Sequence, residues 1–154
     1  DRIVVKPRVG ASAWRQARIA RGAALPPESE LPPGACLIQP FLKAAETEGE
    51  ITMMFFDRVF SHALVKRPKA GDYRTQSMYG ATETAIEPDR EAIETAAAAL
   101  EAVEGDLLYA RVDLMRRDDK KYAVMELELI EPSLFLHHST DEGAAFAKAV
   151  QNAA

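Results

Sequence analysis

With 154 residues, 47% of them hydrophobic and 28% charged, the chain has enough apolar material for one core or two small lobes. That balance excludes a disordered or fibrous protein, and no apolar run approaches the ~18 residues that cross a bilayer. A net charge of −5 argues against nucleic acid as a partner, and a lone cysteine excludes an internal disulfide. Chain order begins with RIVVKP, a short strand stopped by Pro7, followed by the loop RVGASA. Because Asp1 runs directly into that strand, the sequence reads as a piece of a longer protein. WRQARIAR is expected to form a helical turn or two ending at Gly22, with Arg15, Arg18 and Arg21 on a solvated face and Trp14 packed. ALPPESELPPG is a Pro-rich connector, and ACLIQPFL a strand ending at Pro40 with Cys36 as a buried thiol, which suits a reducing cytoplasm.

KAAETEGE reads as a charged loop. A hairpin follows: ITMMFF, a turn at Asp57-Arg58, then VFSHALVKRP. Both faces of ITMMFF are apolar, so it should be covered on both sides. His62 in this hairpin is expected to be a hydrogen-bonded core residue. AGDYRTQSMYGATETAI reads as irregular. A helix then starts with Pro88 at its first position and Asp89 and Glu91 in its first turn. Its stripe is Ile93, Ala96, Ala97, Leu100 and Val103, and Gly105 closes it. A last helix is expected behind a Ser139/Glu142 capping box, burying Ala145, Phe146, Ala149 and Val150. His62, His137 and His138 lack metal-ligand spacing with Cys36 or one another, and His137-His138 reads as a surface pair. Strands, hairpin, helix, hairpin, helix is an α+β order with mainly antiparallel pairing.

Between the two helices lies the most informative segment. Asp113 sits in LLYARVDLM, and Glu126 and Glu128 in YAVMELELIEP, acids within otherwise apolar strands. Alternation points Glu126 and Glu128 the same way. A two-residue turn at Asp118-Asp119 would set Arg111 opposite Glu126, with Asp113 diagonal to it on the same face. Converging carboxylates require protons, cationic partners or a metal, and an all-oxygen set suits Mg²⁺, Mn²⁺ being an acceptable substitute. A solvated acidic face is the alternative. Elsewhere the opening is basic, with Arg2, Lys6, Arg8, Arg15, Arg18 and Arg21 against Asp1. Gly10, Ala11 and Ser12 form a small-residue loop whose amides could approach phosphate, as could Lys6. Arg67 and Arg74 could each hold a carboxylate or phosphoryl group bidentately, an exposed arginine being the plain alternative.

Taken in order, VVKP, GASA, LIQPFL, GE, VKRP, GDYR, ARVDL and MELELIEP resemble the later part of the ATP-grasp superfamily over residues 2–136. The likeness is to the prokaryotic glutathione synthetase and ribosomal-protein-S6 glutamate ligase group. The ELELIEPSLFL ending is similar to amide-forming or cyclising ligases of amino-acid derivatives. The resemblance implies two small α+β lobes with ATP between them: 1–42, a partial lid lobe ending in the adenine hinge, and 43–154, a lobe with the metal site. It implies Lys6 on the nucleotide phosphates, Gly10, Ala11 and Ser12 in a lid over them, and Gln39, Pro40, Phe41 and Leu42 as the hinge. Glu50 would bind the ribose, Arg67 and Arg74 the phosphoryl group and acceptor carboxylate, and Asp113, Glu126 and Glu128 the Mg²⁺.

The implied activity is a cytoplasmic carboxylate–amine ligase that releases ADP and phosphate through an acylphosphate of an amino acid or peptide. A non-catalytic nucleotide-binding module is the other reading, and a homo-oligomer is compatible with either. A further phosphate-binding lysine and a substrate domain would precede Asp1, so full activity is not expected of this chain alone. Thr52 stands where glutathione synthetases carry arginine, which argues against glutathione as product.

Overall fold

In the computed structural model, which describes residues 1–153, the β-branched run Ile3–Val5 forms the centre of a three-stranded sheet. The chain divides into two units, Asp1–Lys43 and Ala44–Ala154. In the first, β1 (Arg2–Pro7) pairs antiparallel with both β2 (Ala17–Ala20) and β3 (Cys36–Pro40), in the order β2-β1-β3. Val5, Ala17 and Ile19 are buried with Leu31 packed against them. The expected helix at WRQARIAR is instead a turn followed by β2. Ala17 and Ile19 alternate with Arg18 at a period of two, and pairing to β1 buries that face. Sequence reasoning read the arginines as helical spacing, but tertiary pairing overrides such local preference. Trp14 is half-exposed, and Cys36 is exposed on the edge strand, so neither is the packed residue expected.

The second unit contains a five-stranded antiparallel sheet in the order β6-β5-β4-β7-β8. Its strands are β4 (Glu50–Phe56), β5 (Val59–Arg67), β6 (Thr82–Ile86), β7 (Tyr109–Arg116) and β8 (Tyr122–Glu128). β4 lies at the centre with Met53, Met54, Phe55 and Phe56 all buried, as a strand covered on both faces requires. Asp57 and Arg58 both have positive φ, 49° and 62°, the twist a tight hairpin needs. The expected loop after Lys43 contains a short helix, α1 (Ala44–Thr47), because Ala44 and Ala45 are buried. β6 was missed as well: TETAI mixes polar and apolar residues, and half-exposed edge strands carry weak patterns.

Each face of this sheet has its own cover. On one, Met53, Phe55, Val112 and Leu114 pack with Ala92, Ala96 and Leu100 of α2 (Arg90–Glu101). Burial of side chains of this size contributes about 1.5–3 kcal/mol each. The helix starts at Arg90, not at Pro88, and Asp89 caps it, accepting a 2.8 Å bond from the Ala92 amide. Its fully buried residues are Ala92, Ala96 and Leu100, with Ile93 packed beside them, while Val103 and Gly105 lie beyond its last residue, Glu101. On the opposite face Met54, Phe56 and Leu64 pack with Ala149 of α3 (Ala144–Ala153) and with Leu134, Phe135 and Leu136. Asp141, not a Ser139/Glu142 box, caps α3: its carboxylate accepts from the Ala145 amide at 2.8 Å and the Gly143 amide at 3.0 Å. Val150 is exposed, contrary to expectation, since the helix turns only Ala149 fully inward. No helix among the described residues is long and apolar enough to cross a membrane.

Candidate functional site

The β7–β8 hairpin carries the three acids to one face by two irregularities that cancel. Its tip is a three-residue loop: the Arg117 amide donates to the Lys121 carbonyl at 2.8 Å, and Lys120 has φ 71°. One residue more than the expected Asp118-Asp119 turn would put Glu126 and Glu128 on the wrong face. A bulge corrects this, since Leu114 pairs with Val124 but Asp113 pairs with Glu126, leaving Met125 as the extra residue. Asp113 therefore stands directly opposite Glu126, and Arg111 opposite Glu128, two residues from the expected register but on the expected face.

Arg111 is the hub of this cluster. Its Nε donates to Asp113 Oδ1 at 3.1 Å. Its Nη2 donates to Asp113 Oδ2 at 3.0 Å, Glu126 Oε2 at 3.1 Å and Glu128 Oε1 at 2.7 Å. From β5, Lys66 Nζ reaches Asp113 Oδ2 at 3.1 Å and Glu50 Oε1 at 2.7 Å. The Thr75 hydroxyl completes Glu50 at 3.2 Å. Gly49 makes the approach of β4 to β5 possible. With φ 92° it tolerates no side chain, and a Cβ there would meet the Lys66 carbonyl at 2.5 Å.

Four carboxylates, Glu50, Asp113, Glu126 and Glu128, thus meet two cations, Lys66 and Arg111. The excess of negative charge shows in the proton affinities. Burial, reinforced by Asp113, raises the Glu50 carboxyl above its usual value despite Lys66. Burial, then Glu128 and Asp113, does the same for Glu126. Burial alone would lower the Lys66 ammonium, but Glu50 and Asp113 hold it raised. A divalent cation with a preference for oxygen fits this donor set and its uncompensated charge. Glu126 can be reached, its side chain being 54% exposed, whereas Asp113 is 0% exposed and bonded to both cations.

Sequence reasoning missed Lys66 and gave Arg111 no role. Arg111 could have been placed by alternation, two residues from Asp113, whereas Lys66 ends a run buried on both faces and alternation does not single it out. Arg67, expected in the site, is exposed at the end of β5. Arg74 is held by Asp72, Nε to Oδ1 at 3.0 Å and Nη2 to Oδ2 at 2.6 Å, and stacks 3.7 Å from the Tyr79 ring centroid. His62 is buried as expected, its Nε2 3.0 Å from the Leu134 carbonyl and 3.2 Å from that of Phe135.

In the first unit, the pairing of Val4 with Gln39 and Lys6 with Leu37 puts Lys6 and Gln39 on one face of the sheet. The Phe41 amide donates to the Arg2 carbonyl at 2.9 Å, and the Arg2 guanidinium lies 4.0 Å over the Phe41 ring. Pro40 ends β3, and Leu42 is half-buried beyond it. Gly10, Ala11 and Ser12 form an exposed turn, in which a Cβ on Gly10 would strike Pro7 Cγ at 2.8 Å.

The RimK-like ATP-grasp domain matches residues 29–142, well over half of the sequence. The chain belongs to this family. Over 121 residues it is 32% identical to the cycloserine biosynthesis protein DcsG of Streptomyces lavendulae, covering 74% of this chain and 40% of DcsG. This ATP-grasp chain therefore spans less than half the length of that relative. The crystal structure of the D-cycloserine synthetase DcsG superposes with a TM-score of 0.80 at 31% identity, over 98% of this chain and 55% of that one. The D-alanine–D-alanine ligase of Bacillus anthracis gives 0.63 at 22% identity, over 97% and 50%. Together they make the antiparallel α+β architecture that of an ATP-grasp protein.

Proposed function

We propose that the chain is the ATP- and Mg²⁺-binding part of a carboxylate–amine ligase, or of a cyclising amide-forming one. One observation carries this reading: four carboxylates on one sheet face share two cations, Lys66 and Arg111, and the accessible ones are Glu126 and Glu128, with side chains 54% and 30% exposed. Asp113, Glu126 and Glu128 would hold Mg²⁺, which would neutralise the phosphates of ATP as the γ-phosphoryl group leaves. Arg111, joined by Lys66 at Asp113, offsets the charge of the three carboxylates. With Mg²⁺ taking over that role, the Arg111 fork would bond phosphoryl oxygens instead.

Lys6 would meet the phosphates and Gly10, Ala11 and Ser12 cover them, while Gln39, Pro40, Phe41 and Leu42 would border the adenine. Arg67 and Arg74 would steady the phosphoryl group and acceptor carboxylate, Arg74 exchanging Asp72 for its ligand. A ribose role for Glu50 requires its carboxylate to leave Lys66. The carboxylate of an amino acid or peptide would attack the γ-phosphorus, giving an acylphosphate and ADP. An amine would then displace phosphate and form the amide. The likeness to a D-cycloserine synthetase supports a small amino-acid derivative as substrate. An exposed Cys36 suits a reducing cytoplasm.

The test is ADP release by the full-length protein with Mg²⁺ and a panel of amino acids and dipeptides. Substrate-dependent ADP that disappears in Glu126→Gln supports the proposal. Release of AMP and pyrophosphate, or unchanged turnover in Glu126→Gln, would refute it.

A further inference from the structure

Beyond Lys66 on the same sheet face, β6 contributes a second potential ligand set. The register pairs Lys66 with Glu83. The Lys66 ammonium is drawn the other way, to Glu50 and Asp113 on β4 and β7. Glu83 meets the 3₁₀ turn Leu136–His138 instead, with His138 Nε2 3.8 Å from Glu83 Oε2. The His137 and His138 rings lie 4.3 Å apart, centroid to centroid. One ligand atom from each of Glu83, His137 and His138 falls within 4.8 Å of the others. Ligands sharing a zinc ion at ~2.0–2.1 Å stand about 3.4 Å apart. Small side-chain rotations would close the site.

We propose that Glu83, His137 and His138 form a site for a late first-row divalent cation, Zn²⁺ foremost. Two imidazoles and a carboxylate suit Zn²⁺ and leave a coordination position open. The same set disfavours Mg²⁺, which takes oxygen ligands. The turn that bears the histidines is fixed beforehand. His62 Nε2 bonds the Leu134 and Phe135 carbonyls, and Phe135 enters the turn at φ 46°. Little ordering remains to be done on binding. An ion there ties edge strand β6 to the segment that leaves β8, so its occupancy braces the strand bearing Glu126 and Glu128. Sequence spacing hid the site, because the third ligand comes from a strand ~50 residues upstream whose pattern is weak.

The test is calorimetric titration of the protein with Zn²⁺ in saturating Mg²⁺, repeated with Co²⁺ for its visible spectrum. One equivalent should bind and raise the melting temperature. His137→Ala, at an exposed position, and His138→Ala should each weaken uptake at least ~10-fold and abolish the Co²⁺ d–d bands. Glu126→Gln should leave both unchanged, which separates this site from the acidic cluster. Absence of stoichiometric uptake, or uptake lost in Glu126→Gln and kept in both histidine variants, would overturn the proposal.

Discussion

The Lys66 ammonium of β5 reaches 3.1 Å across β4 to Asp113 Oδ2 of β7, joining two strands that are not themselves neighbours. Asp113 is entirely buried and receives Arg111 as well. Its neutralisation in Asp113→Asn leaves two cations short of a partner in the interior. The expected loss is about 3 kcal/mol by urea denaturation. Glu126→Gln, at a half-exposed carboxyl already burdened by Glu128 and Asp113, should stay within ~0.5 kcal/mol of the parent. Equal losses in the two variants would contradict the arrangement.

Thr52 faces the same cluster, fully buried, and its hydroxyl has no hydrogen-bond partner among the described residues. Desolvating a hydroxyl without compensation is costly. Thr52→Val keeps the shape and removes the orphan, so stability should rise by up to ~1 kcal/mol. A loss on the same denaturation curve would show that the hydroxyl has a partner after all.

Burial lowers the His62 imidazole below its ordinary 6.5, with the two backbone carbonyls opposing that effect. The unfolded chain then binds the proton more readily than the folded one. Stability due to this group is complete above pH 6.5 and declines as pH falls through 6.5 toward the folded value. Comparing the parent with His62→Gln between about pH 5 and 8 isolates the term. The difference should favour the parent progressively more as pH rises, and a flat difference would deny it.

Arg58, at the tip of the β4–β5 hairpin, closes the far end of α2. Its guanidinium donates to the carbonyls of Leu100 at 2.5 Å, Val103 at 2.8 Å and Gly105 at 2.6 Å. Positive charge at a helix C-terminus complements the negative end of the dipole, and the fork adds three bonds to carbonyls at and just beyond the last turn. Arg58→Ala should cost about 1–2 kcal/mol, and Arg58→Lys, with fewer and unforked donors, roughly half as much. Thermal melts of the three proteins decide it.

Strong local periodicity was what the sequence made legible. ITMMFF and VFSHALVKR were readable as a hairpin because both are apolar and a tight turn separates them, and α2 because its stripe recurs over three turns. β2 was misread because four residues cannot distinguish a period of two from one of 3.6 once arginines intervene. In the site, the acids stood out against apolar neighbours, but their cations did not. Lys66 was overshadowed by adjacent Arg67, and nothing local tells which of two successive basic residues points inward. Only the register of β4 with β5 and β7 decides that.

The hairpin loop and the bulge at Met125 have a consequence for any drift in chain length here. Each shifts the pairing of β8 by one residue, and the two shifts cancel. Deleting Met125, the residue left over, would flatten the bulge and keep Glu126 opposite Asp113. Deleting Leu127 instead would bring Glu128 opposite Val112, on the side that α2 covers. Changes of length are therefore absorbed at the tip and the bulge, where a residue stands unpaired, and are ruinous between the acids.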